Sequence, residues 1–343
     1  MRSKTRTTGI KHNMKTFFDI SIIIPTYNSS KYIEKCLTAI SDNNYPKEKF
    51  EIIVIDNGST DETLSIVHKF TPNSFVYERV NISALRNLGV SKAKGSLVAF
   101  IDSDCIISKD WIASAIKIAD NNPNNLGAAG YPYSLPDDPS WLERAWDTTV
   151  HARRKEKNFL SAGNILMRRS TFIRLGGFDE KMVTGEDYEL CQRIRKAGLT
   201  IIFSPHLRAV HLGNPKSVYQ LFKKELWYGK GMFGTLRNKE ISKPFLLAIV
   251  YLFLCFGFIY GVHKYISSGE LLILSLNILL FFSIPMFCAI YKTSPPRDTR
   301  VIIQLSLIFF VYILARMISL YYILEMTLKY KTNVQLRCIN KDF

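Results

Sequence analysis

Three long apolar runs in the last hundred residues constrain the fold of this chain most. They cover Phe245–Val262, Leu271–Tyr291 and Val301–Leu324, and each is close to the roughly 20 residues that a helix needs to cross a bilayer. Residues before the first run have the composition of a soluble protein. At 343 residues the chain has room for two domains, so we predict a soluble unit followed by a membrane unit.

The third apolar run contains Gln304 and Arg316, polar side chains that are costly to place in lipid. This segment either crosses the bilayer or lies partly in the interface. The Lys292–Arg300 loop carries three basic residues and is expected on the cytoplasmic side. Three crossings would place the basic residues from Lys329 to Lys341 outside, against the positive-inside rule. The sequence therefore allows two or three crossings.

The charge of the chain predicts a polyanionic partner. There are 45 basic and 29 acidic residues, a net charge of +16. Seven basic residues and two acidic ones lie between Lys216 and Lys243, directly before the first apolar run. Juxtamembrane clusters of this kind favour the anionic cytoplasmic leaflet, and no nucleic-acid motif is present. We expect membrane lipids rather than nucleic acid as partner, with the soluble unit facing a reducing cytoplasm, because the six cysteines show no paired spacing.

The soluble unit alternates short apolar runs with helical patterns. The runs Ile20–Ile24, Phe50–Asp56 and Ser96–Ile101 are continuously apolar instead of alternating with polar residues. Segments with helical spacing follow each of the first two. This order is typical of a parallel sheet covered on both faces. The predicted fold class is therefore α/β with a mostly parallel sheet.

Polar residues follow three of these strands, at Thr26–Asn28, Asp56–Ser59 and Asp102–Asp104. In open α/β sheets ligands bind outside the carboxyl ends of the strands, so we expect the three segments to meet in one crevice. Two carboxylates spaced Asp-x-Asp suit Mg²⁺ or Mn²⁺, which prefer oxygen ligands. A helix N-cap next to a turn aspartate would produce the same short pattern.

Five motifs in order resemble the family 2 glycosyltransferases, over roughly Ile20 to Gly234. They are IIIPTYNSSKYIEKCL, IIVIDNGSTDET, ALRNLGVSKAKGSLVAFIDSD, GNILMRRSTFIRLGGFDE and GEDYELCQRIRKAG. The resemblance implies the GT-A fold, a Rossmann-like domain, and transfer of a sugar from a nucleotide donor to an acceptor, usually with inversion. It also implies Mg²⁺ or Mn²⁺ as cofactor.

The resemblance also implies roles for individual residues. Asp187 matches the catalytic base, with Glu186 beside it, and Asp104, Asp102 and His211 match the metal ligands. Asp56 matches an aspartate that hydrogen-bonds the base, and Arg86 an arginine near the diphosphate. The residues implied to bind the nucleotide sugar are Pro25, Thr26, Tyr27, Asn28, Asp56, Arg86, Asp102, Gly163 and Asn164.

One departure from the family concerns processive members, which carry Gln-x-x-Arg-Trp after the base helix. Here that stretch is FKKELWYGKG, which favours single-sugar transfer. Trp227 and Tyr228 within it could stack on a sugar or anchor at the headgroup level. The basic stretches Arg153–Lys157 and Lys216–Lys243 could hold lipid phosphates or be solvated faces near the bilayer.

The predicted organisation is a basic tail (1–18), a GT-A domain (19–235), a membrane domain (236–330) and a polar tail (331–343). We expect transfer from a UDP-sugar to a lipid-linked or membrane-presented glycan. Alternatives are a non-catalytic nucleotide-sugar-binding membrane subunit and a processive polysaccharide synthase. A nucleotidyltransferase would need a glycine- and lysine-rich phosphate loop near the first strand, which this sequence lacks.

Overall fold

The structure is a computed structural model that describes residues 18–152, 159–229, 243–293 and 298–339. Most of the predicted N-terminal tail and the basic stretch Arg153–Lys157 lie outside these residues. So do parts of the Lys216–Lys243 stretch and of the Lys292–Arg300 loop.

Nine strands form two sheets. They are β1 (Ile20–Thr26), β2 (Phe50–Asp56), β3 (Ser74–Val76), β4 (Leu97–Ile101), β5 (Cys105–Ile107), β6 (Leu126–Gly130), β7 (Asn164–Arg168), β8 (Thr200–Phe203) and β9 (Ala209–His211). The larger sheet has the order β3-β2-β1-β4-β7-β6-β8, and β5 pairs with β9 separately. Only β7 is antiparallel to its neighbours in the larger sheet, which confirms the prediction of a mostly parallel α/β fold.

Eleven α-helices are present among the described residues. They are α1 (Ile33–Ser41), α2 (Thr63–Val67), α3 (Ile82–Lys92), α4 (Trp111–Asn121), α5 (Trp141–Ala152), α6 (Arg169–Arg174), α7 (Glu186–Lys196), α8 (Val218–Gly229), α9 (Lys243–Ser268), α10 (Leu272–Lys292) and α11 (Thr299–Ile339). Helix α1 follows β1 and α2 follows β2, as the helical spacing after these two strands predicts.

Helices cover both faces of the large sheet. Successive side chains of a strand point to opposite faces, so Ile22 and Ile24 of β1 belong to one buried cluster and Ile23 to another. All three side chains are fully buried. On the Ile23 face α3 approaches closely because it has Gly89, where a Cβ atom would overlap Ile23. This double burial explains why both faces of the central strands are mainly apolar.

The last three helices match the predicted apolar runs. Each is long and apolar enough to cross a membrane. They pack side by side, and the Tyr251 hydroxyl of α9 donates to the Phe281 carbonyl of α10 at 2.6 Å. Phe281 in turn contacts Phe310 of α11, with ring centroids 5.6 Å apart.

The arginine of the third span packs against protein. Arg316 is 9% exposed and donates to the Glu225 carboxylate of α8 at 2.6 Å. Residues of α5 and α8 pack on α11 in one apolar cluster that includes Leu142, Leu221 and Phe309. The polar group that makes this run unusual is therefore paired. The helix also continues to Ile339, so the predicted polar tail is helical as far as it is described.

Candidate active site

A cleft of about 600 Å³ opens at the carboxyl ends of β1 and β4. The first turn of α7 and the last turn of α8 also border it. Its size falls within the usual range of small-molecule sites. Nine of the thirteen predicted site residues line it, namely Pro25, Thr26, Tyr27, Arg86, Asp102, Asp104, Glu186, Asp187 and His211.

Arg86 of α3 is the central cation of the cleft. It is 4% exposed and donates to Asp102 at 2.8 Å and to Glu186 at 2.7 Å. The two carboxylates raise the pKa of Arg86, against the effect of burial. Since its guanidinium already contacts two side chains, Arg86 holds β4 and α7 together at the cleft. It was predicted only as a residue near the diphosphate.

Asp104 and His211 meet because β5 pairs with β9. This pairing sets Cys105 opposite His211, and the His211 Nε2 atom lies 3.5 Å from Asp104 Oδ1. Ligand atoms of these three residues lie within 4.8 Å of one another. Gly213 leaves room for the Asp104 carboxylate, which a Cβ atom there would overlap.

Asp104 and His211 of this group suit a hard divalent cation. Carboxylate and imidazole atoms suit Mn²⁺ or Mg²⁺, whereas burial keeps the pKa of the Cys105 thiol well above its usual range. Burial lowers the pKa of His211, which favours the neutral form that a metal ligand needs. Its buried Nδ1 atom has no hydrogen-bond partner among the described residues. The Asp102 carboxylate is directed at Arg86 and lies outside this donor group.

Asp187 lies in the first turn of α7. The helix begins after Gly185, whose φ of +84° is in the left-handed region that favours glycine. The Tyr188 N–H donates to Asp187 at 2.8 Å. Desolvation, together with the neighbouring Glu186 charge, raises the pKa of Asp187 to about 6. Such a carboxylate accepts a proton more readily than a solvated one.

Asp56 and Asn28, which the resemblance places at the nucleotide, shape the loop beside the cleft. The Asp56 carboxylate is fully buried and accepts from the Gly58 N–H and from both the N–H and hydroxyl of Ser59. Asn28 has a φ of +47° and accepts from the Thr60 N–H. Neither residue is among those that line the cleft.

Asn164 and Gly163 are also not among the residues that line the cleft. The Asn164 side chain is fully buried, and its contact with the nucleotide sugar stays a prediction. Its amide donates to the carbonyls of Tyr131 and Leu207, and its oxygen accepts from the Trp111 indole. Gly163 lies under the cleft surface, where a Cβ atom would overlap the Asp102 carboxylate.

Several residues of the cleft were not among the predicted site residues. Trp227 and Tyr228 line it from α8, and Asn57 lines it beside Asp56. Tyr133, which lies beside the cleft, donates to Asp102 at 3.4 Å. The aromatic pair was visible in the sequence, but nothing local to it indicated that α8 would close the cleft.

Comparisons with known proteins identify relatives of this chain. The family model of glycosyl transferase family 2 matches residues 21–176, and that of the N-terminal domain of galactosyltransferase matches residues 147–220. Glycosyltransferase AglE of Haloferax volcanii is 28% identical over 262 residues, which cover 73% of this chain and 84% of that protein.

Two further proteins resemble the chain over most of its length. A dolichyl N-acetyl-alpha-D-glucosaminyl phosphate 3-beta-D-2,3-diacetamido-2,3-dideoxy-beta-D-glucuronosyltransferase of Methanococcus voltae is 25% identical over 310 residues, covering 81% of this chain and 89% of that protein. Mannosyltransferase PcManGT of Pyrobaculum calidifontis, solved in complex with GDP-Man and Mn²⁺, shares the fold with a TM-score of 0.59 and 20% identity, over 88% of this chain and 87% of that chain. The ordered motifs and these matches together show that the chain is a glycosyltransferase with a family 2 domain over residues 21–176.

Proposed function

We propose that the enzyme transfers one sugar, with inversion, from a UDP-sugar to a lipid-linked or membrane-presented glycan at the cytoplasmic face. The observation that carries this proposal is that the Asp104–His211 pair and Asp187 line one cleft. Inversion needs a base on the face opposite the leaving group, separate from the groups that bind the diphosphate. The relative from M. voltae, named for transfer to a dolichyl phosphate-linked sugar, supports a lipid-linked acceptor.

In the proposed step, Asp187 accepts the proton of the acceptor hydroxyl. The hydroxyl oxygen forms a bond to the anomeric carbon while the bond from that carbon to the diphosphate oxygen breaks. The bond electrons leave with the nucleoside diphosphate. Arg86 keeps Glu186 in place beside the base through their 2.7 Å contact.

We propose Asp104 and His211 as ligands of Mg²⁺ or Mn²⁺, and PcManGT, solved with Mn²⁺, supports a divalent cofactor. When bound, the cation would supply positive charge against the leaving diphosphate. Asp102 stays a predicted further ligand. The single-sugar mode follows from the missing processive motif, and the orientation follows from the basic cluster before α9.

The test uses the purified full chain in detergent with Mn²⁺ and a panel of nucleotide sugars. We expect Asp187→Asn to lower kcat by about 10²–10⁴-fold, the usual contribution of a general base. We expect Asp104→Asn to weaken Mn²⁺ binding in the presence of UDP, followed by electron paramagnetic resonance.

The matched control is Asp138→Asn, which removes the same charge from a fully exposed side chain. It should match the wild type in both assays. Wild-type turnover in Asp187→Asn would contradict the role of the base. Products with many added sugars per acceptor, read by mass spectrometry, would support the processive alternative instead.

A further inference from the structure

A second cavity, of about 240 Å³, adjoins the cleft. Tyr228 lines both cavities, and Tyr133 of the second cavity reaches Asp102 of the first through its hydroxyl. The two spaces therefore share the side chain of Tyr228 and are linked by one hydrogen bond. A ligand that occupies the second cavity lies next to the residues that line the cleft.

The second cavity borders the membrane helices. Its walls include Leu142 and Trp146 of α5 and Leu221 of α8. Leu142 and Leu221 belong to the apolar cluster that packs on α11. Trp146 contacts Phe309 of α11, with ring centroids 6.0 Å apart. Apolar walls beside a candidate membrane span suit a chain that enters from the lipid.

Two glutamates that line this cavity are paired. Glu143 accepts from Lys216 Nζ at 2.8 Å, and Glu225 accepts from Arg316 at 2.6 Å. Asp147, the third acidic residue of the lining, also has an interaction partner. These three carboxylates therefore already have partners and are not free to bind a cation in the cavity.

Lys224 is the half-buried cation of the same lining. Within the part of the chain that the structure describes, no carboxylate oxygen lies within 4.0 Å of its ammonium group, and its recorded contact is the Tyr228 ring at 5.9 Å. Burial lowers the pKa of Lys224, against the charge of Asp104. A half-buried ammonium without an ion pair is a ready site for an anion.

We propose that this cavity binds a prenyl-phosphate-linked acceptor, with its phosphate on Lys224 and the first part of its chain against Leu142, Trp146 and Leu221. This inference rests on the proposed function, because it specifies the lipid-linked acceptor.

The position of Tyr228 agrees with this placement. Tyr228 is one helical turn after Lys224, and its carbonyl accepts from the Thr184 hydroxyl at 3.5 Å. Thr184 precedes the base Asp187 by three residues and lines the cleft with it. The sugar of an acceptor anchored at Lys224 would thus extend past Tyr228 toward the base.

The experiment measures binding to the full chain in detergent, without donor and without turnover. Farnesyl phosphate, farnesol and inorganic phosphate are titrated separately, and bound ligand is followed by calorimetry. We expect Lys224→Gln to weaken farnesyl phosphate binding at least about tenfold, the usual range for a hydrogen bond to a charged group. Lys224→Arg should recover most of the lost affinity for farnesyl phosphate. Farnesol should bind the wild type and Lys224→Gln with equal affinity.

The matched control is Lys223→Gln, on the same helix, whose exposed amine lies over the Tyr219 ring at 4.5 Å. It should bind farnesyl phosphate as the wild type does. Equal losses in the two variants would overturn the proposal, since they would indicate general surface charge. Weakened UDP binding with unchanged farnesyl phosphate binding would also overturn it and assign Lys224 to the donor diphosphate.

A cavity-filling change provides a second variant. Leu135→Trp places bulk on a half-exposed lining residue, and it should weaken farnesyl phosphate while leaving UDP binding intact. Unchanged farnesyl phosphate binding would contradict the assignment of the chain to this cavity. These binding measurements need no sugar transfer. Failure of the proposed acceptor cavity is therefore distinguishable from failure of the proposed function, which the turnover of Asp187→Asn tests.

Discussion

Arg86 and Arg316 are both buried and both donate to a glutamate, but their surroundings differ. Arg86 contacts two carboxylates, those of Asp102 and Glu186. Arg316 contacts the single carboxylate of Glu225. The group of Arg86, Asp102 and Glu186 therefore keeps a net negative charge, whereas the Arg316–Glu225 pair is neutral.

This difference separates a site from a structural contact. Four carboxylates and one arginine line the cleft among the described residues, the carboxylates being Asp102, Asp104, Glu186 and Asp187. A bound cation or proton would stabilise this excess negative charge. Beside the membrane helices, where water cannot solvate an ion, the Arg316 charge is matched within the protein. The rings of Tyr312 and Tyr228 also contact it, at 4.9 Å and 5.9 Å.

The largest effect is expected from Arg86→Met. This change leaves two carboxylates without their cation, and breaking a buried pair costs about 3–5 kcal/mol. Turnover of the remaining folded protein should fall at least about a hundredfold because Glu186 and the base beside it lose their position. Thermal unfolding and kcat are the measurements. The control is Arg144→Met, on a side chain that is 62% exposed. Wild-type turnover in Arg86→Met would show that Arg86 is a structural contact like Arg316.

Arg316→Met tests the other arginine. Unpaired Glu225 should destabilise the fold by about 3–5 kcal/mol, whereas the double change Arg316→Met/Glu225→Leu should recover most of that loss because it removes both charges. Turnover per folded molecule should exceed that of Arg86→Met. The measurement is the unfolding temperature in detergent. If the double variant were as unstable as the single one, the pair would not act as a neutral unit.

The charge excess of the cleft also predicts a pH dependence. Since the pKa of Asp187 is raised to about 6, kcat/KM should fall about tenfold per pH unit below that value and level off above it. The folded protein binds this proton more tightly than the unfolded chain, so this carboxyl lowers stability as pH rises from about 4 to about 6.

Asp187→Asn should therefore be more stable than the wild type at pH 7.5, and this gain should vanish near pH 4. Paired unfolding curves at both pH values provide the measurement. A gain of equal size at the two pH values would mean that titration of Asp187 is not its cause.

The smallest effect concerns the packing of α8 on α11. A Cβ atom at Gly229 would overlap the Ser319 side chain, so Gly229→Ala should cost about 1–3 kcal/mol by overpacking. Adding Ser319→Gly should restore the unfolding temperature. No recovery in the double variant would show that the loss arises elsewhere in the helix.

Features that depend on local pattern could be predicted from the sequence. The strand ends that place Asp104 and Thr26 at one edge followed from apolar runs, and the first turn of α7 followed from its acidic start at Glu186. Partners distant in sequence could not be predicted in this way. Glu225 and Arg316 are 91 residues apart, so the arginine was interpreted as an obstacle to membrane crossing.

Other differences arose because a motif gives residue type but not side-chain direction. Asn164 lies in a motif of the family, yet its amide hydrogen-bonds to three other residues of the protein. Asp56 likewise stabilises its own loop. The short β5 strand was not predicted, since three residues carry too little periodicity, although its pairing with β9 brings His211 to Asp104.

The packing of α5 and α8 on α11 has a consequence for how the enzyme can be divided. Every residue that lines the cleft precedes Lys243, so a fragment ending there would retain all of the reacting groups. It would also uncover Leu142 and Leu221 and leave Glu225 without its cation. Such a fragment would lose the support of the α8 wall and expose apolar side chains, so we expect it to lose turnover although it keeps every residue that lines the cleft.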